Sequence, residues 1–156
     1  MPGYLLDNNH VSALFNKKPG VINKIRSLPA NTQIRACAIT LGEIEAGHRM
    51  TQTTNQRRRD DFTAFVNGEF RPNALPVSSS TDKYYAEIIG RIWRRYPPAN
   101  PKIKTEAHLV SLGLDINDVW AVAVAWEHGL TFVTQDKMEK IREVVSDMEV
   151  PFECWI

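Results

Sequence analysis

The chain has 156 residues, 43% hydrophobic and 24% charged. That balance predicts a soluble globular protein and excludes a disordered tail, a collagen-like repeat and a small disulfide scaffold. A chain of this length buries about 70% of its unfolded surface, so it can build a core without covalent staples. Net charge is only +1, too little for a generally basic nucleic-acid binder, but its distribution is uneven. Residues 48–59 hold Arg49, Arg57, Arg58 and Arg59 and no acid; residues 91–104 hold Arg91, Arg94, Arg95, Lys102 and Lys104 and no acid. Such segments either solvate a helix face or hold phosphates.

In chain order, residues 3–7 read as a short buried strand centred on Tyr4-Leu5-Leu6. Residues 9–16 and 20–28 read as helices parted by Pro19, and residues 34–39 as a second strand. A helix over residues 40–50 follows, with Thr40 as its cap, then one over residues 57–66 with Phe62, Phe65 and Val66 on one side. Leu75-Pro76-Val77 reads as a brief third strand. Ser80 or Thr81 caps a helix to Arg95 with Tyr85, Ile88, Ile89 and Ile92 at helical spacing. Three prolines make residues 96–101 a loop. Residues 117–128 are apolar nearly all round and Ala-rich, predicting a buried helix stopped by Gly129. A fourth strand over residues 130–134, a helix over 136–145 and a final strand over 150–156 complete the pattern.

The longest apolar run, residues 119–126, is far short of a membrane span of about 20 residues. The N-terminus lacks a basic region followed by an apolar stretch, so neither signal peptide nor membrane is expected, and the location expected is cytoplasmic. Cys37 and Cys154 lie in apolar runs outside any metal or redox spacing, which predicts two buried, reduced thiols. Alternation of strand and helix predicts one α/β domain over residues 1–156, a central parallel sheet flanked by helices. Right-handed crossovers put every strand-to-helix turn on one edge, where open α/β sheets bind ligands.

Four acids occupy those turns: Asp7, Glu43, Asp118 and Asp136. Each has a structural explanation. Asp7 and Asp136 can cap the helices that follow, Thr40 with Glu43 fits a capping box, and Asp118 complements a helix dipole. On one edge together they repel, by about 4 kcal/mol for a pair about 4 Å apart at an effective dielectric of about 20. Raised pKa values or bound cations relieve this. Oxygen-only ligands select Mg²⁺ or Mn²⁺ over zinc, and such a site suits metal-assisted attack of water on a phosphodiester. The acid-free basic segments would then hold the polyanion.

These residues resemble the PIN-domain family, and most closely the VapC toxins of bacterial toxin–antitoxin pairs. Tyr4-Leu5-Leu6-Asp7-Asn8-Asn9 resembles the family's apolar strand ending in Asp-x-Asn. Ile39-Thr40-Leu41-Gly42-Glu43 with Gly47 resembles its Glu-x-x-x-Gly helix start. Asn117-Asp118 with the Ala-rich helix resembles its third acidic motif, and residues 130–136 its strand followed by Thr-x-Asp. One departure is Asn8, where the family commonly carries Thr or Ser. The resemblance implies a PIN-like three-layer sandwich and a Mg²⁺- or Mn²⁺-dependent endoribonuclease. It implies Asp7, Glu43, Asp118 and Asp136 as the catalytic, metal-binding quartet, with Asn9 and Thr134 in support. It also implies a homodimer, an RNA substrate, and an antitoxin covering the pocket with a basic or hydrophobic segment.

The remaining features are weighed against packing roles. His10, His48, His108 and His128 show no ligand spacing. There is no Gly-rich phosphate loop, nucleophile elbow or His-Glu-x-x-His. An aspartyl phosphatase would place a second Asp where Asn9 stands. Trp93 and Tyr96 beside Arg91, Arg94 and Arg95 could stack on and bind RNA, or simply pack. Arg57, Arg58 and Arg59 next to Asp60 and Asp61 read as a surface cluster, and Trp120 and Trp126 as core. Asp115 is read as a helix cap, and Glu45 as facing away from Glu43. A catalytically silent PIN-like module that binds RNA or a protein remains the alternative to a nuclease.

Overall fold

The computed structural model describes residues 3–50 and 55–156. Four short strands, β1 (Gly3–Leu6), β2 (Gln33–Arg35), β3 (Thr131–Val133) and β4 (Phe152–Glu153), form one sheet in the order β2-β1-β3-β4. Every pairing is parallel, with Tyr4 opposite Ile34 on one side and Thr131 on the other. The chain belongs to the α/β class, as its alternating pattern predicts. Among the described residues, eight α-helices flank the sheet: α1 (Asn8–Phe15), α2 (Pro19–Ser27), α3 (Ala38–Met50), α4 (Gln56–Glu69), α5 (Asp82–Arg95), α6 (Thr105–Ser111), α7 (Ile116–Glu127) and α8 (Glu139–Val144).

The two-residue period of a strand sends neighbouring side chains to opposite faces. Leu5 and Phe132 therefore enter one core, with Ile88, Ile92, Val122 and Ile141 of α5, α7 and α8. Tyr4, Leu6 and Val133 enter the other, with Val11, Val21, Ile44 and Val66 of α1 to α4. Leu5, Leu6, Phe132 and Val133 are fully buried. Helix α7 is the inner wall of the first core; residues 121–125 are all buried. It ends where Gly129 adopts φ 63°, a left-handed conformation that a Cβ would penalise.

Several boundaries differ from the sequence reading. Strand β2 stops at Arg35, and α3 begins at Ala38, two residues earlier than expected. Thr40 is thus inside the helix, buried, with its Oγ1 against Cys37 Sγ at 3.7 Å, and the Thr40–Glu43 capping box is not formed. The third strand shrinks to one parallel bridge between Cys37 and Leu75, and the last strand to two residues. Helix α6, Thr105–Ser111, had no counterpart in the periodicity. Helix α8 starts at Glu139 behind a left-handed Met138 (φ 45°), so Asp136 does not cap it. Cys37 is buried as expected, but Cys154 is exposed, because the chain leaves the sheet after Glu153. Among the described residues, no single helix is long and apolar enough to cross a membrane.

Candidate active site

Strand β1 delivers Asp7 to the carboxyl edge of the sheet, where its backbone N–H still donates to the Val133 carbonyl at 2.9 Å. Asp7 then caps α1. Its Oδ1 accepts the Asn8 N–H at 2.8 Å, and its carbonyl accepts from His10 and Val11. Its other carboxylate oxygen, Oδ2, accepts the Thr134 hydroxyl at 2.8 Å. Thr134, buried at the end of β3, also accepts the Asp136 N–H at 3.0 Å and the Asn9 amide at 3.4 Å. Residues 127 positions apart in sequence are tied at one point because parallel pairing of β1 with β3 puts both strand ends together.

Glu43 reaches this edge from the second turn of α3 and Asp118 from the first turn of α7. Asp115 caps α7 by accepting the Asn117 N–H at 2.8 Å, the role read for it from sequence. Asp136 stands exposed on the turn after β3.

The acids influence one another electrostatically. Burial raises the Asp7 pKa against the lowering effect of Thr134 and Asn8, and Asp136 adds to the rise. Burial raises Glu43, reinforced by Asp7, Asp115 and Asp136. Asp118 is pushed up to about 7, first by burial and then by Asp7, Asp115, Asp136 and Glu43. The structure thus brings all four predicted acids within electrostatic reach of one another, with no basic partner among the causes of any shift. Their oxygen-only donor set matches a hard divalent cation. Among the described residues, no three such groups already converge on one ion position.

Two cavities meet the acids. One, of about 350 Å³, lies between α1, α3 and α4 and is lined by Glu43 with Asn8, Phe15, Phe62 and Arg58. The other, of about 380 Å³, is lined by Asp118 and Asp136 with Lys137 and Lys140. Arg58 crosses from α4 to Asn16 and lies over the Phe15 ring at 5.7 Å. Arg58 is exposed, as a surface cluster implies, and nothing local in the sequence links it to Glu43.

The second basic segment is used differently. Arg91 forks onto Glu149 at 2.8 and 2.9 Å, donates to Glu87 at 2.9 Å and to the Val144 carbonyl, and covers the Trp126 ring at 5.0 Å. Its donors join α5 with the α8 region, a structural role beside which RNA binding by Arg91 stays an expectation. Arg95 and the Tyr96 hydroxyl both engage Glu143, and Arg94 lies 3.9 Å from Glu87. Trp93 packs edge-on to His108 at 4.8 Å. Of the first segment, residues 51–54 lie outside the described residues; Arg59 donates to the carbonyls of Gly47 and His48.

A parallel α/β sandwich carrying a nest of acids at its carboxyl edge defines the class of protein. Residues 4–144 match the PIN domain family, and the chain belongs to it. No curated protein matches the chain. Among solved structures, it is similar to DNA-bound VapBC from Salmonella typhimurium, at 16% identity over 100% of both chains with a TM-score of 0.69. It is also similar to VapBC2 from Rickettsia felis bound to a DNA fragment from their promoter, at 20% identity over 99% of both chains with a TM-score of 0.67. FitAcB from Neisseria gonorrhoeae is similar at 20% identity over 96% of both chains with a TM-score of 0.63. At these identities the likeness is one of fold.

Proposed function

We propose that the protein is a Mg²⁺- or Mn²⁺-dependent endoribonuclease, the toxin of a type II toxin–antitoxin pair. The observation that carries this reading is the acid cluster itself. Carboxylates raised by burial and by one another, and left without basic partners among those influences, form a site that gains from a bound cation. Membership of the PIN family and the fold shared with VapBC complexes support the toxin assignment.

Asp7, Glu43, Asp118 and Asp136 would hold the metal. When bound, the ion supplies Lewis acidity, activating water and offsetting the charge that develops on the phosphodiester. Thr134 and Asn9 fix the Asp7 carboxylate through the bonds described above. Arg58 on one side and Lys137 and Lys140 on the other line the cavities that share the acids, where they would hold the phosphates of an RNA strand running across the site. A cognate antitoxin would cover this edge with a basic or hydrophobic segment, and the active form would be a homodimer in the cytoplasm.

One observation favours a second reading, a silent module that binds RNA or protein: no three ligating groups converge in advance among the described residues. Cleavage of structured RNA by the purified chain separates the two. Activity with Mg²⁺ or Mn²⁺ that chelator removes supports the nuclease. RNA binding without cleavage in either metal supports the silent module.

A further inference from the structure

The bonds that hold Asp7 continue past Thr134 to the C-terminal end of the chain. The Trp155 backbone N–H donates to His10 Nε2 at 2.9 Å, so that nitrogen carries the lone pair and the ring proton sits on Nδ1. Nδ1 lies 2.7 Å from Asn9 Oδ1 and therefore donates to it. The same Asn9 oxygen accepts the Gln135 N–H at 3.2 Å, which turns the Asn9 amide nitrogen toward Thr134. Thr134 Oγ1 accepts from Asn9 and from the Asp136 N–H, leaving its single proton for Asp7 Oδ2. One tautomer follows from a backbone donor in the C-terminal segment, and it agrees with the amide orientation and hydroxyl direction that the Gln135 and Asp136 N–H groups also favour.

The far end of this chain of bonds is firmly seated. His10 is fully buried; burial lowers its pKa, in line with the lone pair that the Trp155 N–H finds on Nε2. Trp155 packs edge-on to Tyr4 at 5.1 Å. Gly20 admits the segment, since a Cβ there would stand 2.3 Å from the Trp155 carbonyl oxygen. The stretch matching the PIN domain ends at residue 144, so the Trp155 donor lies outside it.

We propose that His10 is a positioning residue for Asp7, carrying the placement of the C-terminal segment through Asn9 and Thr134 to the Asp7 carboxylate. This rests on the reading of Asp7 as a metal ligand. Without His10, Asn9 Oδ1 keeps only the longer contact from the Gln135 N–H, so the Asn9 amide, and through it Thr134 and Asp7, is held less tightly. Outer partners of this kind are worth about 10- to 100-fold in metal affinity.

Two measurements on the full chain test it. Long-range ¹⁵N NMR of the His10 ring is expected to show a single Nδ1–H tautomer; an Nε2–H tautomer or a rapid average overturns the proposal. Mn²⁺ affinity by calorimetry is expected to fall about tenfold or more in His10→Leu and in Asn9→Ala. His10→Gln, which offers both an acceptor and a donor, is expected to recover most of that loss. The His10→Leu/Asn9→Ala double variant is expected to be no weaker than the weaker single variant, because both interrupt one path. Losses that multiply, or a His10→Leu protein that binds Mn²⁺ like the parent, overturn the proposal. Should His10→Leu not fold, the parent tautomer and the Asn9→Ala affinity decide. A parent that binds no Mn²⁺ sinks the metal reading of the pocket, whereas one that binds it indifferently to His10 sinks only this proposal.

Discussion

Two clusters of acids in this protein behave in opposite ways. At the junction of α5 with the α8 region, Glu149 receives two bonds from Arg91 and the Ser146 N–H, and its pKa falls to about 2. At the carboxyl edge of the sheet, Asp118 meets only burial and other acids, and its pKa rises to about 7. The chain has 19 Lys and Arg, enough to neutralise its 18 acids, yet none appears among the influences on the edge acids. The fold neutralises its charge where helices must be joined and leaves it uncompensated where a ligand would bind. Uncompensated charge costs stability, and that cost is the physical mark separating a site from a brace.

Removing an acid from each cluster gives the sharpest contrast in activity. Asp7→Ala and Asp118→Ala are expected to lower metal-dependent RNA cleavage by about 10²- to 10³-fold or more. Losing several kcal/mol of charge stabilisation costs about one decade per 1.4 kcal/mol. Glu149→Gln is expected to cleave at nearly the parental rate below its melting temperature. Single-turnover assays with gel-resolved RNA measure both. Edge variants that cut as well as the parent would remove the catalytic assignment.

The pH dependence of the metal-free protein follows next. Asp118 has its folded pKa raised from its ordinary 3.8 to about 7. Its proton favours the fold, and that contribution is lost as pH rises from about 4 through about 7. Before solvent screening the displacement corresponds to about 4 kcal/mol; for a half-buried group about 1–2 kcal/mol survives. The helix-dipole benefit of an acid in the first turn of α7 is smaller, about 0.3–1 kcal/mol. Burial, reinforced by repulsion, therefore wins, and Asp118→Asn is expected to stabilise the metal-free protein at pH 8 and flatten its stability between pH 4 and 7. Saturating Mg²⁺ is expected to raise the parent's melting temperature at pH 8 by several degrees and to do little near pH 4, where Asp118 carries a proton. Thermal melts with and without chelator check this; a variant less stable at pH 8 would mean that Asp118 serves mainly as a first-turn acid for α7.

The basic residues around the two clusters offer a smaller test. Lys137→Ala/Lys140→Ala is expected to weaken RNA binding several-fold and reduce the salt slope by about 1–2, since each phosphate contact contributes about 0.7–0.9. Arg91→Met is expected to leave the slope unchanged, because its donors already serve Glu149 and Glu87. Binding isotherms over a salt series distinguish them.

Much of this was legible in the sequence because a parallel α/β order has a simple consequence. An acid after a strand lies on the carboxyl edge, so Asp7, Glu43 and Asp136 could be gathered without coordinates, while Asp118, which follows α6, joins them as the acid that opens the buried helix before β3. What was illegible depends on partners distant in sequence. Arg91 looked free for phosphate because Glu149 lies 58 positions away. Arg58 is the exposed surface charge that the sequence suggests, but that it also lines the Glu43 cavity depends on how α4 packs on α1 and α3. Thr40 misled as a cap because the bridge from Cys37 to Leu75 ends the strand early and lets α3 start at Ala38. Helix α6 is one short segment of mixed polarity, too brief to show a period. His10 gave no signal, since its partners are a backbone amide near the C-terminus and the side chain next to it.

The smallest expected effect is at the brace. Glu149 has its folded pKa lowered from its ordinary 4.5 to about 2, so it contributes stability above about 4.5 that is lost as pH falls toward about 2. Its side chain is 25% exposed and that of Arg91 27%, which screens the pair and leaves about 1 kcal/mol even with two parallel bonds. Glu149→Gln is therefore expected to lower stability by about 1 kcal/mol at pH 7, a few degrees in melting temperature, with the difference from the parent shrinking as pH drops below about 4. This acid-side loss is opposite in sign to the behaviour expected of Asp118. Urea denaturation of both variants across pH 3 to 8 places the two slopes on one axis; parallel slopes would mean that the edge acids are as well compensated as the brace.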